Sequence, residues 1–157
     1  MRLLSQARKA TFFIRIFGFL KVPLIFYCKP KVLSISEEKV EVKISLNRRT
    51  KNHVNSMYFG VLAVGADVTG AMIAMDIIKK SNHKINLLFK DFHADFLKRA
   101  EGDVHFVCND GDKIKSLIKE VISKGERCNT TVNVNAFVPS KFKDEPVAKF
   151  MLTLSLK

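Results

Sequence analysis

Apolar residues at every second position are the clearest periodic signal along the chain. They predict strands over residues 39–46, 85–98, 103–108, 130–138 and 148–156, the second with a kink near its middle. Turns join most of these strands, so we expect a largely antiparallel sheet. The class is therefore α+β rather than a doubly wound fold.

The longest apolar run lies between Met57 and Ile78 and is apolar on nearly every side. It predicts a helix over about residues 57–79, with Ser56 as a plausible N-cap. Asp67 sits at its centre, where a bilayer would strongly disfavour a carboxylate. We therefore expect a helix wrapped by protein, the centre of the sheet's concave face.

Two more helices are predicted, over residues 3–19 and from Ile114 to a stop at Gly125. Residues 24–36 are expected to be extended, and the polar segment 47–56 a loop. The whole chain of 157 residues is predicted to form one domain, with residues 1–28 as a basic, Phe-rich helical extension.

Positive charge is concentrated at the beginning of the chain. The sequence has 27 Lys plus Arg and 15 Asp plus Glu, a net charge of +12. Residues 1–51 hold 12 basic and 3 acidic residues, which gives +9, and the first acidic residue is Glu37. An anionic partner is expected there: a phosphate-bearing ligand, a membrane surface or nucleic acid.

The extension itself does not have the sequence of a membrane span. Arg15, Lys21 and Pro23 interrupt its apolar run, and no secretory cleavage site follows. Either its Phe face docks on the domain, or the helix lies on an anionic membrane surface. We expect a cytoplasmic protein, with peripheral membrane attachment as the alternative.

Asp67 is the first candidate for chemistry. Small residues surround it on its helix face, and burial would raise its pKa and basicity. Such a carboxylate suits a general base that activates water. The alternative is a buried structural Asp, satisfied by the hydroxyl of Thr69 or by a backbone N–H.

The loop before the helix is the second candidate. Asn52, His53, Asn55 and Ser56 supply hydrogen-bonding groups. Free N–H groups at the helix start, around Tyr58–Gly60, could stabilise an oxyanion. Ordinary turn and capping chemistry is the alternative explanation for the same residues.

The spacing N-x5-YFG-x6-D resembles hotdog-fold thioesterases, in particular the phenylacetate-pathway type and poorly characterised thioesterase-like relatives. Asn52, Gly60 and Asp67 match that pattern residue by residue. Tyr58 stands where the family has a His, and Phe59 stands where it has a first Gly. The order of the predicted elements also fits a hotdog fold, a sheet wrapped around one long helix.

The resemblance implies hydrolysis of acyl-CoA or another acyl thioester at a dimer interface. Asp67 would activate water, helix-start amides near Tyr58 and Gly60 would polarise the carbonyl, and Asn52 would orient water or substrate. A homodimer or a dimer of dimers is implied, with coenzyme A only as part of the substrate and no separate cofactor. The substrate-binding candidates are Arg48, Arg49, Lys51, His53 and Asn55.

Two other functions stay open. One is a non-catalytic acyl- or lipid-binding module, prompted by the missing His. The other is a binder of anionic surfaces, for which a membrane fits the sequence better than nucleic acid. The four His residues lack metal-binding spacing, so no metal is expected. Cys28, Cys108 and Cys128 are expected to be buried thiols.

Overall fold

A single curved sheet surrounds one long helix in this protein. The computed structural model describes residues 5–157. The six strands have the order β1-β2-β4-β5-β6-β3, and every neighbouring pair is antiparallel. The elements in chain order are α1 (Gln6–Lys21), α2 (Pro23–Cys28), β1 (Lys31–Ile35), β2 (Val40–Ile44), α3 (Phe59–Lys80), β3 (Leu87–Phe96), β4 (Val104–Cys108), α4 (Gly111–Lys124), β5 (Cys128–Phe137), α5 (Pro139–Phe142) and β6 (Pro146–Leu156). The predicted α+β class and antiparallel sheet are confirmed.

Helix α3 fills the concave side of the sheet. It is long and apolar enough to cross a membrane, but 67% of its most apolar window is buried inside the domain. At Gly65 the helix meets the ring of Phe106, and an added Cβ would lie 2.2 Å from that ring. The predicted buried central helix is confirmed, and Gly65 sets how closely it approaches β4.

The N-terminal helices pack on the domain. The hydroxyl of Ser5 accepts the Arg8 N–H at the start of α1, and the predicted residues 3 and 4 lie outside the described residues. The hydroxyl of Thr11 accepts the Val32 N–H at 2.9 Å and so ties α1 to the edge strand β1.

Residues 24–28 are helical, so the prediction of an extended segment over 24–36 was wrong for its first part. Pro23 is the first residue of α2, where its fixed φ and missing N–H favour a helix start. Lys29 then adopts the left-handed conformation, with φ 52°, and turns the chain into β1. A six-residue apolar helix carries too little periodicity to be distinguished from a strand.

Ser56 is not the N-cap of α3, and that prediction was wrong by two residues. The chain turns over residues 53–56 and then forms an isolated bridge at Met57, whose N–H donates to the Ala100 carbonyl at 2.8 Å. The Tyr58 N–H donates to the Thr50 carbonyl at 2.9 Å. Because of these tertiary hydrogen bonds, α3 begins two residues later than predicted, at Phe59, and Tyr58 is its N-cap residue.

The bounds of the other predicted helices and strands agree closely with those in the structure. Gly125, with φ 66°, ends α4 as expected, and β3 carries its predicted irregularity between Phe89 and Phe92. One short helix, α5, had not been predicted.

Strand β3 lies at an edge of the sheet and is mostly exposed. Phe92 and Phe96 pair with the buried residues Leu152 and Ala148, which places them on the helix-facing side. They are nevertheless 44% and 53% exposed. The concave surface is therefore uncovered at this end of β3.

Candidate active site

Asp67 lies on the wall of a cavity of about 590 Å³. Its side chain is half-buried, and within residues 5–157 it forms no side-chain hydrogen bond or ion pair. Burial raises the pKa of this carboxyl group, because the charged form loses water contacts without gaining a partner. Asp67 is therefore a desolvated carboxylate that is open to a ligand.

The structural alternative for Asp67 is not supported. The hydroxyl of Thr69 donates to the Gly65 carbonyl at 2.6 Å, within the helix, and not to Asp67. The backbone offers no donor there, because residues in mid-helix use their N–H groups within the helix.

The rest of the cavity wall is largely apolar. Helices α1 and α2 form one side, with Phe13, Phe17 and Ile25 facing the space. Ala71 of α3 and residues 85–89, which span the beginning of β3, form the other side. A cavity of this size and polarity fits an apolar chain of a ligand.

Lys79 stands at the rim of this cavity. Its ammonium group lies 4.6 Å from the centroid of the Phe13 ring, a cation–π contact that holds α1 against the end of α3.

The start of α3 opens into a second cavity of about 560 Å³. Asn52, Tyr58 and Phe59 line it, together with Phe96. The N–H groups of Phe59 and Gly60 meet no acceptor among the described residues, since α3 begins at Phe59. These two amides, and not that of Tyr58, are the available donors.

Tyr58 covers Gly60. A Cβ at Gly60 would lie 2.6 Å from the Tyr58 ring, so glycine here admits the aromatic ring beside the helix start. The Tyr58 side chain is 48% exposed, and its ring lies 4.8 Å from that of Phe59, centroid to centroid, with the ring planes tilted by 54°.

Asn52 organises the loop that precedes the helix. Its side-chain oxygen accepts the Val54 N–H at 3.0 Å and the Ser56 N–H at 3.1 Å. Its amide nitrogen donates to the Ser56 hydroxyl at 3.0 Å. The Asn52 side chain thus stabilises the turn through these hydrogen bonds, and one hydrogen of its amide group remains for a ligand.

The predicted substrate-binding residues share one exposed loop. Among them only His53 lines the second cavity, and Asn55 sits at the left-handed φ of 60° with its side chain accepting from Lys51 at 3.1 Å. Arg48, Arg49 and Lys51 line neither cavity.

Some site residues were missed from the sequence. Lys98 and Arg99 line the second cavity, and Phe13 and Phe17 line the first. The local sequence has no motif around any of them. Only the packing of distant segments brings them to the cavities.

One chain does not bring the two halves of the site together. Asp67 follows Gly60 by seven residues, which places it about 10 Å further along the helix axis. The acid lines the first cavity and the free amides open into the second. A single carbonyl group therefore cannot contact both groups of the same chain.

The three cysteines are buried and free, as predicted. Burial, the largest influence, raises the pKa of the Cys108 thiol to about 11. Such a thiol stays protonated at neutral pH and is a poor nucleophile.

Residues 10–154 match the family described as a domain of unknown function, DUF4442, and the chain belongs to that family. No curated protein matches the chain.

Solved structures share the fold over nearly the whole chain. A probable thioesterase from Pseudomonas aeruginosa is 19% identical, with a TM-score of 0.74 over 94% of this chain and 95% of that one. Zebrafish thioesterase superfamily member 2 is 14% identical, with a TM-score of 0.70 over 98% and 100%. A Haemophilus influenzae thioesterase is 11% identical, with a TM-score of 0.65 over 90% and 87%. At these identities the likeness establishes the fold, and the predicted hotdog fold is confirmed.

Proposed function

We propose that this protein hydrolyses acyl thioesters of the coenzyme A type. The observation that carries the proposal is Asp67, a half-buried carboxylate with a raised pKa and no protein partner, on the wall of an apolar cavity. A general base needs this combination of basicity and access to substrate. The thioesterase names of structures with the same fold point in the same direction.

The complete site requires a second copy of the chain. The free edge of β3 offers unpaired backbone groups, and Phe92 and Phe96 beside it expose their helix-facing side. Two β3 strands can pair antiparallel across a two-fold axis, which extends the sheet and covers these rings.

Antiparallel pairing also supplies the missing donors. The start of β3 lies beside the Asp67 cavity, and its end lies beside the start of α3, where Phe96 is 6.5 Å from Phe59. In an antiparallel pair the end of one β3 faces the start of the other. The helix-start amides of one copy therefore come to the Asp67 of its partner, so two equivalent sites form in the dimer.

The reaction follows from these groups. Asp67 removes a proton from water as the water oxygen attacks the thioester carbonyl carbon. The N–H groups of Phe59 and Gly60 stabilise the negative oxygen of the tetrahedral intermediate. The intermediate then collapses, the C–S bond breaks, and the leaving thiolate takes the proton that Asp67 removed from water. The products are a carboxylic acid and a thiol, and Asp67 is again a carboxylate.

In the proposed dimer, one substrate molecule occupies the Asp67 cavity of one copy and the helix-start cavity of its partner. The acyl chain occupies the apolar cavity beside Asp67, between the N-terminal helices and α3. The coenzyme A phosphates meet the basic residues near the helix start, which are Arg48, Arg49, Lys51, Lys98 and Arg99. Asn52 and His53 line the cavity at the helix start and would contact the substrate between its acyl chain and its phosphates.

A thiol-release assay over a panel of acyl-CoA esters tests the proposal. We expect turnover by the wild-type protein and a kcat roughly 10²–10⁴-fold lower for Asp67→Asn. Asp76→Asn, which removes a carboxylate paired with Lys80 on the same helix, is the matched control and should retain activity. Wild-type turnover at the background rate, or full activity of Asp67→Asn, would contradict the proposal. Acyl-CoA binding without turnover would instead favour a non-catalytic binding module.

A further inference from the structure

Helix α1 has an apolar stripe on the side that faces away from the domain. Phe12, Ile16, Phe19 and Leu20 follow helical spacing and are 69%, 42%, 61% and 66% exposed. The opposite side of the same helix is buried through Ile14 and Gly18. The helix is therefore apolar on two sides, of which packing within the chain uses only one.

Helix α2 continues this surface. Leu24 is 59% exposed and Tyr27 is 52% exposed. The rings of Phe19 and Phe26 meet edge to face at 5.3 Å, which fixes the two helices as one surface. Exposed bulky apolar side chains clustered on two touching helices are typical of an interaction site.

The charge around the patch is mostly positive, and Asp76, which lines the neighbouring groove with Lys9 and Lys79, is paired with Lys80. No acidic residue occurs between residues 5 and 36, and Arg8, Lys9, Lys21 and Lys29 are exposed on α1 or beside α2. Lys79 adds a fifth cation, because it shares a shallow groove with Lys9, Phe12 and Ile16. Bulky apolar side chains within a ring of cations match the boundary between lipid headgroups and acyl chains.

We propose that the outer surface of α1 and α2 docks on an anionic lipid bilayer. The apolar stripe enters the headgroup region, while the surrounding Lys and Arg side chains contact lipid phosphates. A second copy of this surface is a poorer occupant, because it would bring like charges together. Moreover, α1 is anchored through Thr11 to β1, the edge of the sheet opposite the proposed dimer edge.

Vesicle flotation with the full-length protein tests this proposal. We expect binding to phosphatidylcholine vesicles that contain phosphatidylglycerol, weaker binding to pure phosphatidylcholine, and loss of binding as salt rises. The double variant Phe19→Ser/Leu20→Ser should bind roughly tenfold or more weakly. Ile122→Ser/Met151→Ser removes two exposed apolar side chains, at 41% and 48% exposure, from other surfaces and should bind as the wild type does.

The charges are tested in the same assay. Arg8→Gln/Lys9→Gln should weaken binding to anionic vesicles by about fivefold for each lost charge. Lys119→Gln/Lys149→Gln, from exposed positions elsewhere, should have a clearly smaller effect. Circular dichroism and thermal unfolding confirm that each variant is folded.

Three results would overturn the proposal: no flotation of the wild-type protein with anionic vesicles at low salt, equal binding to uncharged vesicles, or undiminished binding by Phe19→Ser/Leu20→Ser. If that variant changed the molecular mass in solution and not the flotation, the patch would be an interface between copies. A folded, vesicle-bound protein without acyl-CoA hydrolysis would contradict only the proposed function.

Discussion

At the scale of single residues, Asp67 carries a desolvation cost at its position. Its carboxylate is partly desolvated, and none of the described residues gives it a compensating hydrogen bond or ion pair. Thr69 and Asp76, on the same helix, both have protein partners. A group that a fold keeps despite such a cost is a candidate for function.

This cost predicts a pH-dependent stability difference between Asp67→Asn and the wild-type protein. The pKa of Asp67 is raised above its ordinary 3.8, so the folded state disfavours the charge that the unfolded chain carries above that pH. Wild-type stability therefore falls as pH rises from the ordinary pKa through the raised one. Above that window we expect the melting temperature of Asp67→Asn to be higher by roughly 2–4 °C, the effect of about 1 kcal/mol in a domain of this size.

Thermal unfolding between about pH 3 and pH 8 measures the difference in melting temperature between Asp67→Asn and the wild-type protein. It should vanish at the acidic end, where the carboxyl group is neutral in both states. Asp76→Asn should show no such gain, because it loses an ion pair with Lys80. An Asp67→Asn protein that is less stable at neutral pH would show that this carboxylate has a structural role.

At the scale of elements, the contact of α3 with the sheet depends on Gly65. The Phe106 ring is fully buried and cannot move away from an added methyl group at 2.2 Å. We expect Gly65→Ala to destabilise the fold by roughly 1–3 kcal/mol.

At Gly70 the nearest side-chain atoms lie 3.4 Å from an added Cβ, an ordinary contact. Gly70→Ala should be neutral or stabilising by up to about 1 kcal/mol through helix propensity.

Denaturant unfolding compares the two alanine variants directly. Equal changes in the free energy of unfolding for Gly65→Ala and Gly70→Ala would mean that helix propensity, and not contact with the sheet, dominates at both positions. A stabilised Gly65→Ala would contradict the described packing of α3 on β4.

Elements with strong periodicity could be predicted from the sequence, and short ones could not. The alternation in β6 and the spacing from Ile114 to Gly125 depend on many residues each, so single local effects do not obscure them. Helix α2 has only six residues, all apolar or aromatic apart from Pro23 and Cys28, and neither period is visible. The start of α3 was misplaced because Thr50 and Ala100 bind Tyr58 and Met57, which only the tertiary structure shows.

The site was predictable only in part for a related reason. The acid at position 67 and the loop at 52–60 follow from their spacing in one stretch of chain. The cavity beside Asp67 depends on how α1 and α2 dock across α3, and no local pattern encodes that. Nor could the sequence show that Asp67 and the free amides of Phe59 and Gly60 lie in separate cavities.

At the scale of the whole molecule, the proposed site is shared between two copies. One chain holds Asp67 about 10 Å along the helix from its own free amides. In the proposed dimer, pairing of two β3 edges would bring the Asp67 of one copy to the amides of the other and would cover Phe92 and Phe96, which are exposed in one chain. The proposed dimer would thus account for both the exposed rings and the separation of the acid from the amides.

The most direct test of this claim is activity in a defined mixed dimer. One copy carries Asp67→Asn, and the other carries Phe59→Pro, which removes one free amide at a position where proline suits the helix start. Phe59→Ala, which removes the ring and keeps the amide, is the control for Phe59→Pro. Each variant alone should be nearly inactive, apart from the control. The co-expressed dimer, purified through two different tags, should regain about half of the wild-type rate, because one of its two sites is intact. A mixed dimer as inactive as its parents, or a wild-type protein that is active as a monomer, would contradict the shared site.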